Sequence, residues 1–262
     1  MDFEGAIAVV TGASAGIGRA TALAMAEAGA DVVVSARRTE RLEELANEIG
    51  ATGRMALPIR CDVTKLKDLT QLRDQVIEEF GRADVIVNNA GIPGGGPLDS
   101  MDIDQIEEIT RTNLLSVMWS TKLFLPAMLD RGRGHIVNVA SLAGRFAVPG
   151  SSVYSAAKHG VVAFSESLNC ELEPRGILVT AVNPAFVATE GFPHHDKSPW
   201  MVMRPQRVAE VIVDIVRKGK APEVSIPRWA APGQAVRVLV PPLYRFGVAR
   251  IARLRGSDPT GA

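Results

Sequence analysis

Tyr154 and Lys158 stand four residues apart in the stretch YSAAK, a spacing that puts both side chains on one face of a helix. A phenol normally loses its proton at about pH 10. A neighbouring ammonium stabilises the phenolate, so the pair is suited to general acid or base chemistry near neutral pH. The other tyrosine, Tyr244, has no lysine at this spacing. An ordinary helix face also carries such a pair, so its significance depends on the surrounding elements.

A glycine-rich stretch, TGASAGIG at 11–18, follows an apolar run and places Gly12, Gly16 and Gly18 where a strand would give way to a helix. A helix N-terminus presents unpaired N–H groups and a partial positive charge, which suit phosphate. Glycine lets the phosphate approach the backbone closely. An ATP-binding loop would need a lysine where this chain has Arg19, so the pyrophosphate of a dinucleotide is the better ligand. A tight strand-to-helix turn without a ligand is the alternative.

The end of the next predicted strand indicates which dinucleotide binds. Folds that prefer NAD place an acid here for the ribose 2′-hydroxyl, but this chain has Ala36 followed by Arg37 and Arg38. Guanidinium groups suit a 2′-phosphate, and an anion would relieve these cations at the front of a helix. The alternative is that both arginines pair with Glu40 or Glu43. We favour the phosphate, and therefore NADP(H) over NAD(H).

Short apolar runs rich in valine and isoleucine alternate with helical segments along most of the chain. The alternation predicts an α/β fold, a Rossmann-like doubly wound parallel sheet of about seven strands with helices on both faces. The predicted strands are 6–11, 31–36, 56–61, 84–88, 134–140, 177–183 and 223–226. The predicted helices are 16–29, 39–50, 65–80, 102–130, 152–173 and 205–219. Ser141 follows a strand and should emerge at the carboxyl edge of the sheet, where open α/β sheets bind ligands.

In these elements the sequence resembles the classical short-chain dehydrogenase/reductase family over nearly residues 1–226. The glycine motif TGxxxGxG of that family stands at 11–18, and its NNAG motif stands at 88–91. The acid that follows strand three in the family is Asp62 here. The catalytic tetrad of the family falls on Asn113, Ser141, Tyr154 and Lys158.

The resemblance implies a role for each residue of the tetrad. Tyr154 would exchange a proton with the substrate oxygen, and Ser141 would hydrogen-bond that oxygen. Lys158 would hold the nicotinamide ribose and lower the pKa of Tyr154, while Asn113 would help to hold a water of the proton relay. The cofactor would carry out the hydride chemistry.

The resemblance also implies a set of cofactor-binding residues. They are Gly12, Ser14, Gly16, Ile17, Gly18, Arg37, Arg38, Asp62, Val63, Asn89, Ala90, Gly91, Tyr154, Lys158, Pro184, Val187 and Thr189. One departure concerns the family's Pro-Gly after strand six, where this chain has Pro184 and Ala185. That difference bears on the local backbone geometry.

Composition restricts the functional classes. The formal net charge of the 262 residues is zero, which argues against nucleic acid as a partner. The N-terminus lacks the basic region of a signal peptide, and no apolar run is long enough to span a membrane. Cys61 and Cys170 show no metal or disulfide spacing, so both are predicted to be reduced core residues. These features predict one cytoplasmic catalytic domain over 1–262, and the resemblance implies a homodimer or homotetramer built on helices 102–130 and 152–173.

Two segments depart from the alternating pattern. Residues 185–204 have mixed polarity and no period, and we interpret them as a substrate loop. His194 and His195 lie in this loop without complete metal-ligand spacing, so no metal site is predicted. The C-terminal tail, 234–262, combines arginines with large apolar residues, and 234–255 is predicted to be helical. We favour packing of its apolar side on protein, either the chain's own body, where it could cover the substrate cleft, or a partner subunit. Attachment to an anionic membrane is the alternative.

These observations favour an NADP(H)-dependent oxidoreductase that interconverts a carbonyl and a secondary alcohol on a moderately lipophilic small molecule. A non-catalytic NADP-binding sensor or scaffold on the same fold is the alternative, although a scaffold has no need of the tetrad. A sugar-nucleotide epimerase or dehydratase would usually have TGxxGxxG spacing and a larger C-terminal domain, and both are absent from the sequence.

Overall fold

Seven valine-rich segments pair side by side as one parallel sheet in the computed structural model, which describes residues 1–94, 96–191 and 202–256. The strands are β1 Ile7–Thr11, β2 Asp31–Ala36, β3 Ala56–Arg60, β4 Val85–Asn88, β5 Gly134–Val139, β6 Ile177–Pro184 and β7 Glu223–Ile226. Their order across the sheet is β3-β2-β1-β4-β5-β6-β7. The predicted doubly wound parallel sheet is therefore confirmed.

Helices connect the strands and cover the sheet. They are α1 Gly16–Glu27, α2 Thr39–Gly50, α3 Leu66–Phe80, α4 Ile103–Thr110, α5 Ser116–Arg131, α6 Ser152–Leu172, α7 Pro205–Lys218, α8 Ala231–Leu239 and α9 Pro241–Gly256. Within the described ranges, no helix is both long and apolar enough to cross a membrane.

The core consists of two apolar layers, one on each face of the sheet. Successive side chains of a strand point to opposite faces. In β1, Ala8 and Val10 join a layer with α1, α2 and α7, whereas Val9 joins a layer with α3, α5 and the end of α6. Burial on both faces explains why the strands are apolar along almost their whole length.

The strand order reverses at β1, and this reversal creates the site. β1 pairs with β2 on one side and with β4 on the other, so the following connections leave in opposite directions. The loops after β1 and β4 therefore separate at the carboxyl edge of the sheet. Ligands of open α/β sheets bind in the crevice at such a switch point.

The predicted boundaries before residue 220 are confirmed to within about two residues, with one difference inside the helix predicted at 102–130. There, Arg111–Leu115 forms a π-helical turn between α4 and α5. The prediction that both cysteines are core residues is right for Cys61 and wrong for Cys170, which is exposed on α6.

The C-terminal tail is helical over 231–256, as predicted for 234–255, with a break at Val240 before two prolines. Burial of its apolar side on the chain's own body is wrong for the described residues, because Leu239, Leu243 and Phe246 are 78%, 59% and 68% exposed. The tail approaches the body with its other side instead, as described below. Residues 257–262 lie outside the described residues.

Candidate active site

A cleft of about 820 Å³ runs along the carboxyl edge of the sheet, over the ends of β1, β4 and β5. It brings together all the predicted site residues except Gly18. The predicted residues that line it are Gly12, Ser14, Gly16, Ile17, Arg37, Arg38, Asp62, Val63, Asn89, Ala90, Gly91, Asn113, Ser141, Tyr154, Lys158, Pro184, Val187 and Thr189. The predicted residues other than Gly18 therefore line one continuous cleft.

The floor of the cleft is a tight contact between the loops after β1 and β4. The Asn89 side-chain amide donates to the carbonyl oxygens of Thr11 at 2.9 Å and Gly12 at 3.3 Å. The Thr11 hydroxyl accepts from the backbone N–H groups of Asn89 and Ala90 at 3.1 and 3.2 Å. A Cβ on Gly18 would lie 2.4 Å from the Asn89 amide nitrogen. Gly18 thus leaves room for the Asn89 amide and does not line the cleft.

Gly12 and Gly16 have the left-handed backbone that glycine alone adopts easily, with φ of +67° and +56°. A Cβ on Gly12 would lie 2.8 Å from the Ala90 Cα, and one on Gly16 would lie 2.8 Å from the Thr189 methyl carbon. The residue before α1, Ala15, supplies no side-chain cap for the N–H groups of the first turn. This bare, uncapped helix N-terminus at the cleft fits a phosphate group.

The side of the cleft at the end of β2 is strongly basic. Arg38 donates to the Ser14 hydroxyl at 3.0 Å and to the Glu190 carboxylate at 3.0 Å. Arg41 donates to the same carboxylate at 2.7 Å. Hydrogen bonds from Arg41 and then Arg38 lower the pKa of Glu190 below its ordinary value. Arg37 lies beside this group and also lines the cleft.

Asp62 lies at the same end, just after β3. Its carboxylate accepts from the Thr64 N–H at 3.1 Å and from the Thr64 hydroxyl at 2.7 Å. Burial alone would raise the pKa of Asp62, but these hydrogen bonds and nearby Lys65 and Arg37 leave it lowered. The carboxylate is therefore charged and held in position at neutral pH.

At the other end of the cleft, α6 places Tyr154 and Lys158 beside Ser141, which follows β5 by one residue. The Lys158 ammonium donates to the Val139 carbonyl oxygen at 2.9 Å and lies 5.7 Å from the centre of the Tyr154 ring. Lys158 is only 4% exposed. Burial lowers the pKa of Lys158 to about 8, so the ammonium form still predominates at pH 7.

The expected lowering of the Tyr154 pKa is not found in the protein by itself. Burial raises the pKa of Tyr154 to about 12, and a hydrogen bond with Ser141 opposes this only in part. Removing a phenolate from water costs more than the Ser141 hydrogen bond returns. Tyr154 is consequently a protonated phenol at neutral pH.

Asn113 lies in the π-helical turn and connects it to the loop after β4. Its amide nitrogen donates to the carbonyl oxygens of Ile92 and Ile109, each at 3.0 Å, and its side-chain oxygen accepts from the Ile92 N–H at 3.3 Å. A π-helical turn displaces the regular backbone bond to the residue four positions earlier. The Asn113 side chain supplies a donor to that carbonyl, of Ile109, and so ties the turn to the cleft wall.

Sequence reasoning missed several residues that shape the cleft. Glu190 carries no motif, and its role becomes visible only when the loop folds back onto α2. Phe146 and Val148 line the cleft from the segment between Ser141 and α6, which has no periodic signal. Gly94 leaves room for Tyr154, because a Cβ there would lie 2.9 Å from the Tyr154 Cβ. The glycine-rich composition of its loop was the available signal for that last residue.

The substrate loop predicted at 185–204 is described on either side of 192–201. The Ala185 N–H donates to the Ile226 carbonyl oxygen at 2.8 Å, and Val187 pairs with Met203. No described residue other than glycine has positive φ, so Ala185 takes its place in the Pro-Ala sequence without strain. His194 and His195 lie outside the described residues, and the described ones contain no group of three potential metal ligands among His, Cys, Asp and Glu.

This combination of parallel sheet, switch-point cleft and adjacent tyrosine and lysine defines an oxidoreductase that acts with a nicotinamide cofactor. Residues 6–199 match the profile of the short chain dehydrogenases, and the chain belongs to that family.

Similar proteins agree with this assignment. Ketoacyl reductase HetN of Nostoc sp. is 34% identical over 269 residues, which cover 97% of this chain and 93% of the relative. The structure of an actinorhodin polyketide ketoreductase with NADPH gives a TM-score of 0.79 at 34% identity, covering 85% of this chain and 95% of that one. A short chain dehydrogenase/reductase from Burkholderia phymatum in complex with NAD gives a TM-score of 0.84 at 25% identity, covering 93% and 96%.

Lys158→Met is expected to stabilise the fold at pH 7. Because the pKa of Lys158 falls from 10.5 to about 8 on folding, the protonated form costs stability in full below pH 8, and that cost disappears as pH rises toward 10.5. The difference between 10.5 and about 8 corresponds to about 3 kcal/mol. Urea unfolding at pH 7 and pH 10 measures the effect.

The matched control is Lys122→Met, at an exposed lysine of α5, which should show little change at either pH. A Lys158→Met protein that is less stable than the wild type at pH 7 would contradict the burial cost assigned to this ammonium.

Proposed function

We propose that the protein interconverts a carbonyl and a secondary alcohol with NADP(H), acting on a moderately lipophilic small molecule. The observation that carries this proposal is the position of Tyr154. Its phenol lies in the cleft, hydrogen-bonded with Ser141, with the Lys158 ammonium buried beside the ring. A protonated phenol at this position is a proton donor for a carbonyl oxygen.

Each side chain has a defined part in carbonyl reduction. A nicotinamide cofactor held in this cleft would supply the hydride for the carbonyl carbon. Tyr154 donates its proton to the carbonyl oxygen as that oxygen gains charge, and Ser141 donates a hydrogen bond to the same oxygen. The phenolate that remains is stabilised by the Lys158 ammonium, whose charge also suits the hydroxyl groups of a ribose. Asn113, hydrogen-bonded to the adjacent loop, keeps that wall of the cleft in place for the proton relay.

The cofactor-binding residues fit an extended dinucleotide. The uncapped N-terminus of α1, with Gly12 and Gly16 beside it, suits the pyrophosphate. Asp62 and Val63 lie at the end suited to the adenine. Asn89 and Thr189 line the cleft between this end and Tyr154.

Three observations support NADP(H) over NAD(H). Ala36 ends β2 where folds that prefer NAD have an acid. Arg37 and Arg38 line the cleft there, and Ser14 already holds Arg38 by a hydrogen bond. A 2′-phosphate would receive charge-assisted hydrogen bonds from these guanidinium groups. Of the similar solved structures, one is with NADPH and one is in complex with NAD, so the proposed preference rests on Arg37 and Arg38.

The substrate proposal rests on the lining of the cleft near Tyr154. Ile92, Leu142, Phe146, Val148 and Phe186 form an apolar wall there. Relatives are named as a ketoacyl reductase and a 3-oxoacyl-[acyl-carrier-protein] reductase, which supports a 3-oxoacyl thioester as the substrate class. Turnover of such a thioester in an assay would exclude the sensor or scaffold alternative. The family resemblance also supports a homodimer or homotetramer located in the cytoplasm.

Tyr154→Phe is expected to abolish nearly all reduction of a 3-oxoacyl thioester, because phenylalanine keeps the ring but has no proton to donate. Acid–base catalysis contributes roughly 10²–10⁴-fold to rate. Stopped assays of NADPH consumption measure turnover, and calorimetry should give cofactor affinity close to wild type. Retention of more than about a tenth of the wild-type rate would show that another group is the acid.

Arg37→Ala is expected to weaken NADP(H) binding and leave NAD(H) binding nearly unchanged. A hydrogen bond to a charged group contributes about 1.5–3 kcal/mol, or roughly tenfold to a hundredfold in affinity. Calorimetric titration of both cofactors into both proteins measures this. Arg73→Ala, which removes an arginine of α3 paired with Asp74, is the control and should change neither affinity. Equal wild-type affinities for the two cofactors would defeat the proposed preference.

Glu190→Gln is expected to tighten NADP(H) binding selectively. The Glu190 carboxylate pairs with Arg38 and Arg41, so an incoming phosphate must compete with it. Because these ion pairs are exposed, the gain should not exceed about fivefold. Glu48→Gln, which removes the partner of Arg19, is the matched control. Unchanged or weaker NADP(H) binding by Glu190→Gln would show that the carboxylate does not compete.

A further inference from the structure

Several polar groups of the tail helices α8 and α9 contact the rest of the chain. The Arg237 guanidinium donates to the Arg145 carbonyl oxygen and lies 2.6 Å from the His159 ring nitrogen Nε2. The Tyr244 phenol oxygen accepts from the Ala147 N–H at 2.6 Å. These contacts fix one side of the tail against the segment between β5 and α6.

The other side of the tail is apolar and faces solvent. Val236, Leu239, Val240, Leu243 and Phe246 recur at spacings of one to four residues and are 39%, 78%, 46%, 59% and 68% exposed. We call these five residues the outward stripe. A helix on the surface of a globular protein normally buries its apolar side and exposes its polar side. The tail has the opposite arrangement, which marks the outward stripe as an interaction surface.

The charge of the same segment indicates the partner. Residues 224–256 contain no Asp, Glu or Lys but contain arginines at six positions, although the whole chain has a net charge of zero. These are Arg228, Arg237, Arg245, Arg250, Arg253 and Arg255. Arg245 precedes Phe246 of the outward stripe, Arg250 follows Phe246 by four residues, and both arginines are exposed. The partner must therefore accept apolar side chains and provide negative charge beside them.

We propose that α8 and α9 dock on an anionic lipid bilayer, with the outward stripe in the interfacial region and Arg245 and Arg250 on the head groups. An interfacial segment of this kind combines large apolar side chains with arginine. A second copy of the chain is less suitable. Two-fold pairing of the tails would bring their arginines together without any acidic residue of either segment to neutralise them.

The proposal is tested by sedimentation of the full chain with vesicles. One set contains phosphatidylcholine alone, and the other adds about 30 mol% phosphatidylglycerol to supply a negative surface. The protein should sediment with the anionic vesicles only, and less as salt rises from about 0.1 M to 0.5 M. Absence of sedimentation with anionic vesicles at the lower salt concentration overturns the proposal.

Matched variants separate the two parts of the surface. Phe246→Asp should lower the vesicle-bound fraction at least about fivefold, because it places a charge in the outward stripe. Leu66→Asp, at a 51% exposed leucine of α3, is its control and should bind as the wild type does. Arg245→Glu with Arg250→Glu should lower binding about tenfold or more. Arg73→Glu with Arg207→Glu is the control with the same change of charge.

Two further measurements keep the result interpretable. Circular dichroism and NADPH-dependent turnover of Phe246→Asp without vesicles should match the wild type, which excludes unfolding as the cause of lost binding. Light scattering should give the same molecular mass for both proteins. A fall in mass for Phe246→Asp, together with no vesicle binding by the wild type, would assign the outward stripe to a second copy of this chain and overturn the proposal.

Discussion

The cleft depends on the hydrogen bonds that join Asn89 to Thr11 and Gly12. They lock the loop after β1 to the loop after β4 where the two strands part. The basic end of the cleft is built on one side of this contact and the tyrosine end on the other. Gly18 is required beneath it because any side chain would meet the Asn89 amide. This one contact therefore holds the basic end and the tyrosine end of the cleft, which come from distant parts of the sequence, in a fixed relation.

At the tyrosine end, burial shifts the pKa values of Tyr154 and Lys158 in opposite directions, because it favours the uncharged form of each group. Burial keeps the proton on Tyr154, whereas burial of Lys158 disfavours the ammonium that stands beside the ring. A protonated phenol is the form required to reduce a carbonyl, and the nearby charge becomes favourable once the phenol has given up its proton. Burial of the Lys158 ammonium therefore costs stability before the reaction, but the same charge stabilises the Tyr154 phenolate that the reaction forms.

Most of the sheet and the cleft could be predicted from the sequence because both depend on local patterns. Runs of valine and isoleucine identify buried strands, and residues just after such strands lie at one edge. Contacts between distant segments left no such pattern. Glu190 reaches Arg38 and Arg41 only through the folded loop. The apolar side of the tail was predicted to pack on protein, and its described part does not pack on the chain's own body. Periodicity shows that a helix has an apolar side but not what covers it. Leu239, for example, belongs to the apolar side of α8 and is 78% exposed.

The proposed reduction requires that a carbonyl oxygen bind against Tyr154 and Ser141 while the cofactor fills the rest of the cleft. A crystal structure of the dead-end complex with NADP⁺ and a 3-oxoacyl thioester would show this arrangement. We expect a ketone oxygen within about 3 Å of both hydroxyl oxygens. We also expect the 2′-phosphate against Arg37 or Arg38. A ketone that points away from Tyr154, with the cofactor bound in the cleft, would show that Tyr154 is not the proton donor.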